Sequence, residues 1–448
     1  MINEKTLLKD DTFIKSKKGI ALLLLLFVLY KVVLDFVYLN DLGIAFSYMF
    51  LCIDLSVPKM IGSYALVCLS FIAFLISRGR ITRYLILIII LFIYIPCLSY
   101  YASNNQSTIY TVFLTLTLFI ISFFSWVGSN FNPPRIRSSI KVEKQSFINV
   151  LFIVFLALCL VLVAVRGGID YRSFSFKTIY SLRSENNISG FLGYVMNWLP
   201  KFFFPLLASF FVMKKKYKSL ICIVIFEILM YLSFGNKAFL LCIVWVFLCY
   251  FLVYKKRFFV GMTFLLIVGV FGSYLLSKLF QYDSLRNTLN LRLLFVPAQI
   301  QYQYFDYFST HAKMYYAEGF IGKLFGIDNR FGEDVAYFIG RLYGNGGETH
   351  SNTCVFADAY YNAGFISMIL TSAVMGLIFG YYDRLSNVKK EIIIGSLSYI
   401  MFSFMDTGLF TTLITGGLLF NILFMLYCNN TSNPDFQIRY QYFVYNSL

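Results

Sequence analysis

The sequence predicts an all-α protein that spans a membrane many times, with about 12 transmembrane helices and one large outer loop. Hydrophobic residues make up 59% and charged residues 13% of its 448 residues, which is too apolar for a protein with a single buried core. A helix needs about 20 apolar residues to cross a bilayer, and runs of this kind recur along the chain. Two polar stretches interrupt them, residues 166–190 and 277–351.

The apolar runs give twelve predicted spans. Their limits are 19–39, 59–77, 84–101, 108–128, 147–165, 191–213, 219–234, 238–254, 258–277, 358–381, 391–408 and 410–428. The sixth span contains Pro200 and Pro205 and the seventh is short, so we expect a bend or a break in both. The predicted organisation is therefore nine helices in residues 1–276, with a short outer loop at 166–190, then the large outer loop 277–351, then three helices and a tail in residues 352–448. Within the large loop, 284–308 is expected to be an amphipathic helix, bent or ended by Pro297.

Lysine and arginine are distributed unequally between the two sides of these spans. Most lie in the N-terminal tail and in short loops on one side, which the positive-inside rule assigns to the cytosol. An even number of spans then places both termini in the cytosol. The first apolar run lacks a small-residue cleavage site, so it is expected to remain as a span. The net charge of +16 is explained by anionic headgroups rather than by nucleic acid.

Cations on the outer side are the strongest candidates for binding an anion, because the positive-inside rule disfavours them there. Arginine presents a planar fork of donors that matches a phosphate. Lys237 follows a Gly-Asn turn just before a helix, where free amides also suit an anion. The predicted phosphate-binding set is Arg166, Arg172, Arg183, Lys237, Arg286, Arg292 and Arg341. The alternative is that such cations form salt bridges with Asp170, Glu185, Glu333 and Asp334.

The longer polar stretch holds both histidines, and His350 is the better candidate for a general base. It stands just before the tenth span, where an imidazole with a pKa near neutrality can take a proton from a hydroxyl group. Asp358 and Glu348 compete for the same role, and His311 lacks such surroundings. The alternative is that His350 is an ordinary solvated loop side chain.

Charges predicted inside hydrocarbon are costly, so they are expected to be paired or functional. Lys31 and Asp35 are one helical turn apart and can neutralise each other. Glu227 is expected to form an ion pair with Lys201. The nine cysteines have no metal-type spacing, and the sequence has no P-loop, HExxH or Asp-x-Asp motif. We therefore expect no metal and no cofactor, and both ATP-driven transport and transfer from nucleotide sugars are disfavoured.

The arrangement of a dozen spans, an arginine-containing outer loop, a Gly-Asn-Lys turn and a large outer loop after the ninth span resembles the O-antigen polymerases (Wzy-type oligosaccharide repeat-unit polymerases). His350-Ser351 followed by residues 357–366 looks like the segment with which that family enters the next span. O-antigen ligases share the architecture, but their signature places a glycine three positions earlier than Gly364. This departure favours a polymerase. The spacings from Arg183 to Gly193 and from Arg330 to Gly340 also match those of some polymerases.

The resemblance implies a fold like that of GT-C-type glycosyltransferases, in the bacterial inner membrane. It implies that undecaprenyl-diphosphate-linked oligosaccharides are joined at the periplasmic face by a metal-independent glycosyl transfer, in lipopolysaccharide or other polysaccharide biosynthesis. The outer arginines would hold both diphosphates, and His350, Asp358 or Glu348 would assist the acceptor hydroxyl. A chain-length regulator is a candidate partner. The alternatives are an O-antigen ligase and, from another class, a lipid-linked oligosaccharide flippase.

Overall fold

The computed structural model describes residues 10–131, 144–174, 182, 188, 190–344 and 350–430. The longer helices of these ranges are, in chain order, α1 (Lys17–Ala45), α2 (Val57–Ile76), α3 (Thr82–Ser103), α4 (Thr108–Asn130), α5 (Gln145–Arg166), α6 (Phe191–Met213), α7 (Tyr217–Phe234), α8 (Ala238–Tyr254), α9 (Phe258–Phe280), α10 (Val296–Thr310), α11 (Gly319–Phe325), α12 (Val335–Tyr343), α13 (Val355–Asp383), α14 (Lys390–Ser398), α15 (Ile400–Asp406), α16 (Leu409–Ile414) and α17 (Leu418–Asn430). Nine of these described helices, α1 to α7, α9 and α13, are long and apolar enough to cross a membrane.

The prediction of an all-α polytopic membrane protein is confirmed for the described residues, and the number of twelve spans stays a prediction. The predicted eighth span is the shorter apolar helix α8. The predicted eleventh and twelfth spans are divided among the short helices α14 to α17. In the described residues the only β-type pairing is one isolated bridge between Asp54 and Asn104.

The bend expected in the sixth span takes the form of a π-helical turn, Leu199–Phe203, within α6. Pro200 has no amide hydrogen to donate, so the regular bonding pattern is interrupted there. The thiol of Cys242 donates to the carbonyl oxygen of Pro200, with a sulfur–oxygen distance of 2.8 Å. Helix α7, in contrast, runs without interruption from Tyr217 to Phe234.

The chain divides into two compact units that are discontinuous in sequence. Unit 1 is formed by Met1–Asn130, Leu252–Gly380 and Met401–Thr412. Unit 2 is formed by Phe131–Phe251, Tyr381–Ile400 and Leu413–Leu448.

Small residues allow two spans of unit 1 to approach each other closely. A Cβ atom added at Gly376 of α13 would lie 2.7 Å from the carbonyl oxygen of Ile121 in α4. A Cβ atom added at Gly128 would lie 2.6 Å from the carbonyl oxygen of Leu377. In lipid the hydrophobic effect does not drive helices together, so close van der Waals packing between backbones stabilises their association instead. Helix α3 is the centre of the unit, because its apolar stretch is completely buried.

The buried ion pair predicted within the first span is confirmed. The ammonium group of Lys31 lies 2.6 Å from both carboxylate oxygens of Asp35. The hydroxyl group of Tyr64 donates to the same carboxylate at 2.8 Å, and so does the hydroxyl group of Ser99. The charges of Lys31 and Asp35 are thus compensated by each other and by two hydroxyl groups, because an unpaired charge in hydrocarbon is costly.

The ion pair predicted between Glu227 and Lys201 is wrong for unit 2. Glu227 is fully buried in α7, and neither of its carboxyl oxygens has a hydrogen-bond partner among the described residues. Lys201 lies half-buried in the π-helical turn of α6. The two residues lie on different helices, so their positions in the sequence do not determine whether the side chains meet.

The helical segment after α9 belongs to the core of unit 1. A π-helical stretch, Arg286–Phe295, leads into α10, and Pro297 lies in the first turn of α10. The side chain of Asn290 donates to the carbonyl oxygen of Val270 in α9 at 3.1 Å. The hydroxyl groups of Tyr302 and Thr111 are 2.8 Å apart. The predicted large loop is therefore largely helical where it is described, and this segment packs on the membrane helices.

The N-terminal segment also contributes to unit 1. The carboxylate of Asp10 accepts hydrogen bonds from the backbone amides of Phe258 and Phe259, at 3.1 and 3.2 Å. These amides belong to the first turn of α9 and have no partner within their own helix. Asp10 therefore caps a helix that lies 248 residues further along the chain.

Candidate functional site

In unit 2 the end of α5 and the turn that follows it form an open cavity of about 360 Å³, lined by residues 166–172. We call it the arginine cavity. Gly167 and Gly168 have φ angles of +88° and +104°, which glycine adopts without strain. They reverse the chain direction after Arg166, so that Asp170 and Arg172 face the same space.

One carboxylate organises the two guanidinium groups of the arginine cavity. The Nη2 and Nε atoms of Arg172 lie 2.8 Å and 3.1 Å from carboxylate oxygens of Asp170. The Nη2 atom of Arg166 lies 3.9 Å from the same carboxylate. The hydrogen bonds from Arg172 hold the pKa of Asp170 below its usual value. Two cations and one anion leave a net positive charge, which suits a phosphate or diphosphate group.

The other predicted phosphate-binding residues have separate surroundings. Arg286 in unit 1 lies 3.3 Å from both Asp41 and Asp283, and Lys278 lies 2.9 Å from Asp41. The two pairs with Asp41 join the last turn of α9 and the segment after it to the end of α1. Arg341 forms an exposed ion pair with Glu333.

The salt-bridge alternative is therefore confirmed for the pairs Arg166–Asp170, Arg172–Asp170 and Arg341–Glu333. Arg292 is exposed in unit 1. Lys237 of unit 2 is half-buried in the turn before α8, where the side chain of Asn236 accepts a hydrogen bond from the amide of Ala238 at 3.1 Å. Arg183 and Glu348 lie outside the described residues.

In unit 1 His350 is paired with a carboxylate that caps a helix. The side chain of Asp334 accepts from the amide of Ala336 at 2.8 Å and so caps α12. Its other oxygen lies 3.2 Å from Nε2 of His350, and the ring of Tyr337 meets the imidazole edge-on at 4.4 Å. The hydrogen bond from His350 lowers the pKa of Asp334, and the same bond raises the pKa of His350. His350 is therefore not simply solvated.

Two further carboxylates lie near this pair. Glu318 accepts from the amide of Val335 at 2.5 Å and from the hydroxyl group of Tyr361 at 3.3 Å. Burial raises the pKa of Glu318. The pKa of the buried Tyr304 is raised first by burial and then by the negative charges of Glu318, Asp358 and Asp334. The charges of three carboxylates therefore act on the hydroxyl group of Tyr304. We call Glu318, Asp334, Asp358 and His350 the carboxylate cluster.

Asp358 enters the carboxylate cluster from the first turn of α13. It is half-buried, and its carboxylate lies against Gly408 so closely that no Cβ atom would fit there. Helix α13 is broken five residues later, because Ala363 and Gly364 have non-helical backbone angles and the φ angle of Gly364 is +71°. The turns that carry Asp358 are therefore separated from the rest of the span.

Lys313 is a cation beside that break. Its Nζ atom lies 3.7 Å from the centre of the Tyr360 ring and donates to the carbonyl oxygen of Phe308 at 2.5 Å. Burial lowers the pKa of Lys313 to about 8. Neither Lys313 nor Glu318 is among the site residues that the sequence predicts. Only the position of Lys313 in the large outer loop marks it, and no sequence signal marks Glu318.

The fold defines the class of the protein as a polytopic helical membrane protein. No protein-family model, curated protein or solved structure matches the chain. The two groups of polar residues, one in each unit, are therefore the basis for assigning a function.

Proposed function

We propose that this chain is a membrane glycosyltransferase that polymerises oligosaccharide repeat units carried on undecaprenyl diphosphate. The observation that carries the proposal is the arginine cavity, where two guanidinium groups are held around one carboxylate at the end of a membrane-spanning helix. A lipid diphosphate keeps its hydrocarbon chain in the bilayer and its charge at the surface. Exposed apolar side chains beside the cavity, including Tyr171 at 82% exposure and Ile169, match such an amphipathic ligand.

The proposed reaction transfers the growing oligosaccharide to the next repeat unit. The oxygen of an acceptor sugar hydroxyl forms a bond to the anomeric carbon of the donor, and the bond from that carbon to the phosphate oxygen breaks. The electron pair leaves with undecaprenyl diphosphate, and the hydroxyl proton passes to a base. The guanidinium groups of the arginine cavity bind the donor diphosphate in the substrate complex and in the transition state alike, so they contribute to substrate binding.

The carboxylate cluster supplies the proposed base. Asp334 fixes the imidazole of His350 and stabilises the imidazolium that forms when His350 takes the proton. Asp358 is the second candidate, because it lies in the same cluster.

The test is the glycan ladder of cells that lack the chain, compared with cells that express it again. We expect the deletion to leave a single repeat unit on the final acceptor and re-expression to restore long chains. Loss of every repeat unit would instead indicate a ligase or a flippase. An unchanged ladder, with the purified chain in nanodiscs unable to extend a lipid-linked repeat unit, would reject all three functions.

A further inference from the structure

Unit 2 contains a second cavity, of about 350 Å³, to which the proposed reaction assigns no role. Helices α5, α6 and α17 form its walls, and every lining residue is a leucine or carries an aromatic ring. Phe202, Phe203 and Phe424 are buried, whereas Leu423 is 52% exposed. The cavity therefore has a closed floor and an open side, and we call it the aromatic cavity.

Contacts between α6 and the start of α17 hold the walls of the aromatic cavity in place. The indole nitrogen of Trp198 donates to the carbonyl oxygen of Ile414 at 2.9 Å, and its ring meets that of Phe420 at 4.9 Å. A Cβ atom added at Gly417 would lie 2.8 Å from Cβ of Phe202. The cavity is thus formed by the chain itself before any ligand enters.

The lining of the aromatic cavity selects a hydrocarbon chain as its occupant. Only 22% of the apolar stretch of α5 is buried, so most of this helix faces the surrounding lipid. Water finds too few polar partners in such a cavity, and an empty space forfeits dispersion contacts. A helix, with a diameter of about 10–12 Å, does not fit into a cavity of this volume. A single lipid chain does.

One end of the aromatic cavity lies next to a group of lysines. The ring of Phe424 meets that of Phe210 in the last turns of α6 at 5.7 Å. The amide of Lys214 donates to the carbonyl oxygen of Phe210 at 2.9 Å, so the lysine stands one helical turn beyond this contact. Four lysines follow α6 within five positions, namely Lys214, Lys215, Lys216 and Lys218. A chain lying in the cavity therefore has four cations beside its polar end.

The arginine cavity lies at the opposite end of α5. Leu151 of the aromatic cavity precedes Arg166 by 15 residues. At about 1.5 Å per residue, this separation is about 22 Å along the helix. A lipid whose charged group occupies the arginine cavity thus has that group far from the lysines after α6. The two cavities suit lipids with headgroups on opposite sides of the membrane.

We propose that the aromatic cavity binds one acyl chain of an anionic phospholipid, whose headgroup is held by the lysines that follow α6. Basic residues at the cytosolic ends of membrane helices attract anionic headgroups, and each contributes about fivefold in affinity. The sequence predicts these lysines to be cytosolic. The phospholipid is a structural ligand that joins α5, α6 and α17, and its binding does not depend on the reaction proposed above.

The experiment uses the fluorescence of Trp198, which lines the aromatic cavity. The double variant Trp126→Phe with Trp245→Phe leaves Trp198 as the single tryptophan of the full chain. The purified protein is placed in nanodiscs of phosphatidylcholine that contain a fraction of either phosphatidylglycerol or phosphatidylcholine with brominated acyl chains. Bromine quenches a tryptophan that it contacts. We expect phosphatidylglycerol to associate with this site at least about fivefold more strongly than phosphatidylcholine.

Trp126 is the matched fluorescent control. It lies on α4 of unit 1, and its side chain is 61% exposed. The double variant Trp198→Phe with Trp245→Phe keeps it as the single tryptophan. The two brominated lipids should quench Trp126 equally, because it contacts lipid without a cavity or a neighbouring group of lysines.

Lysine variants test the headgroup contact. Lys214→Gln with Lys215→Gln should lower the preference of the Trp198 site for phosphatidylglycerol about fivefold or more. Lys255→Gln with Lys256→Gln, in the turn after α8, is the matched control. Lys215 and Lys256 have φ angles of +55° and +56°, and the backbone hydrogen bonds of the two turns have the same pattern. This control removes the same charge from the same kind of turn and should leave the preference unchanged.

The chain with all three tryptophans provides a second measurement. Trp245→Phe removes the hydrogen bond from the indole nitrogen to the carbonyl oxygen of Ser398, at 3.0 Å, so this variant can be less stable. Native mass spectrometry counts the phosphatidylglycerol molecules that the otherwise unchanged chain retains after release from the nanodisc. We expect one more retained molecule than in Lys214→Gln with Lys215→Gln, and the same number as in Lys255→Gln with Lys256→Gln.

Three outcomes would overturn the inference. Equal quenching of Trp198 by the two brominated lipids would show ordinary contact with the bilayer. Quenching that begins only when residues 431–448 are removed would show that the tail of the chain fills the cavity. Stronger quenching by a brominated polyprenyl phosphate than by phosphatidylglycerol would assign the cavity to the lipid carrier. The glycan ladder tests the polymerase separately, because none of these results depends on glycosyl transfer.

Discussion

The arginine cavity and the carboxylate cluster are built from opposite kinds of side chain. The cavity has two guanidinium groups and two glycines around one carboxylate. The cluster has three carboxylates and an imidazole, whose affinities for protons are altered by burial and by one another. The first arrangement is suited to binding an anion and the second to moving a proton. Variants in the two regions should therefore have different kinetic effects.

The largest expected effect comes from the carboxylate cluster. His350→Ala should lower kcat about 10²- to 10⁴-fold if the imidazole is the general base, because proton transfer by a positioned side chain contributes that much. The measurement is the rate of repeat-unit addition at saturating substrate, with protein levels matched by quantitative blotting. An unchanged rate would transfer the role to Asp358 or Glu348.

A smaller effect, on KM rather than kcat, is expected in the arginine cavity. Arg172→Gln should raise KM for the lipid-linked substrate about 10- to 100-fold, since a hydrogen bond to a charged group contributes about 1.5–3 kcal/mol. Arg172→Lys keeps the charge but loses the planar fork, so it should fall between the wild type and Arg172→Gln. If Arg172→Gln lowered kcat and left KM unchanged, the separation of binding from proton transfer would be wrong.

The smallest expected effect is a shift in pH dependence. His350 accepts a proton only when it is neutral, so kcat should rise with pH through a pKa that Asp334 holds above the ordinary value of about 6.5. Asp334→Asn removes the negative charge and lowers that pKa, so the rise in kcat should move to lower pH. Profiles of kcat against pH for both proteins provide the check. Coincident profiles would separate Asp334 from the chemistry.

The features that sequence predicts here are those that depend on neighbours in the chain. Long apolar runs give the spans, and Lys31 with Asp35 is predictable because both residues lie one turn apart on one helix. Asp170 forms an ion pair with Arg172, which lies two residues further along the chain. Each of these contacts is fixed by local geometry alone.

Contacts between distant segments were not predictable in the same way. Glu318 enters the site through Val335 and Tyr361, which lie 17 and 43 residues away. The spacing along a helix carries no information about such approaches. Similarly, Lys201 and Glu227 lie on different helices, and the sequence does not show whether two such side chains meet. The missed part of the site is therefore the part that tertiary packing assembles.

The cap that Asp10 places on α9 has a consequence for biosynthesis. The amide of Phe258 is synthesised 248 residues after the carboxylate that receives it. At translation rates of about 5–20 residues per second, this interval lasts about 12–50 s. The early helices of the nascent chain must therefore persist in the bilayer for that time before the partner that completes their assembly leaves the ribosome.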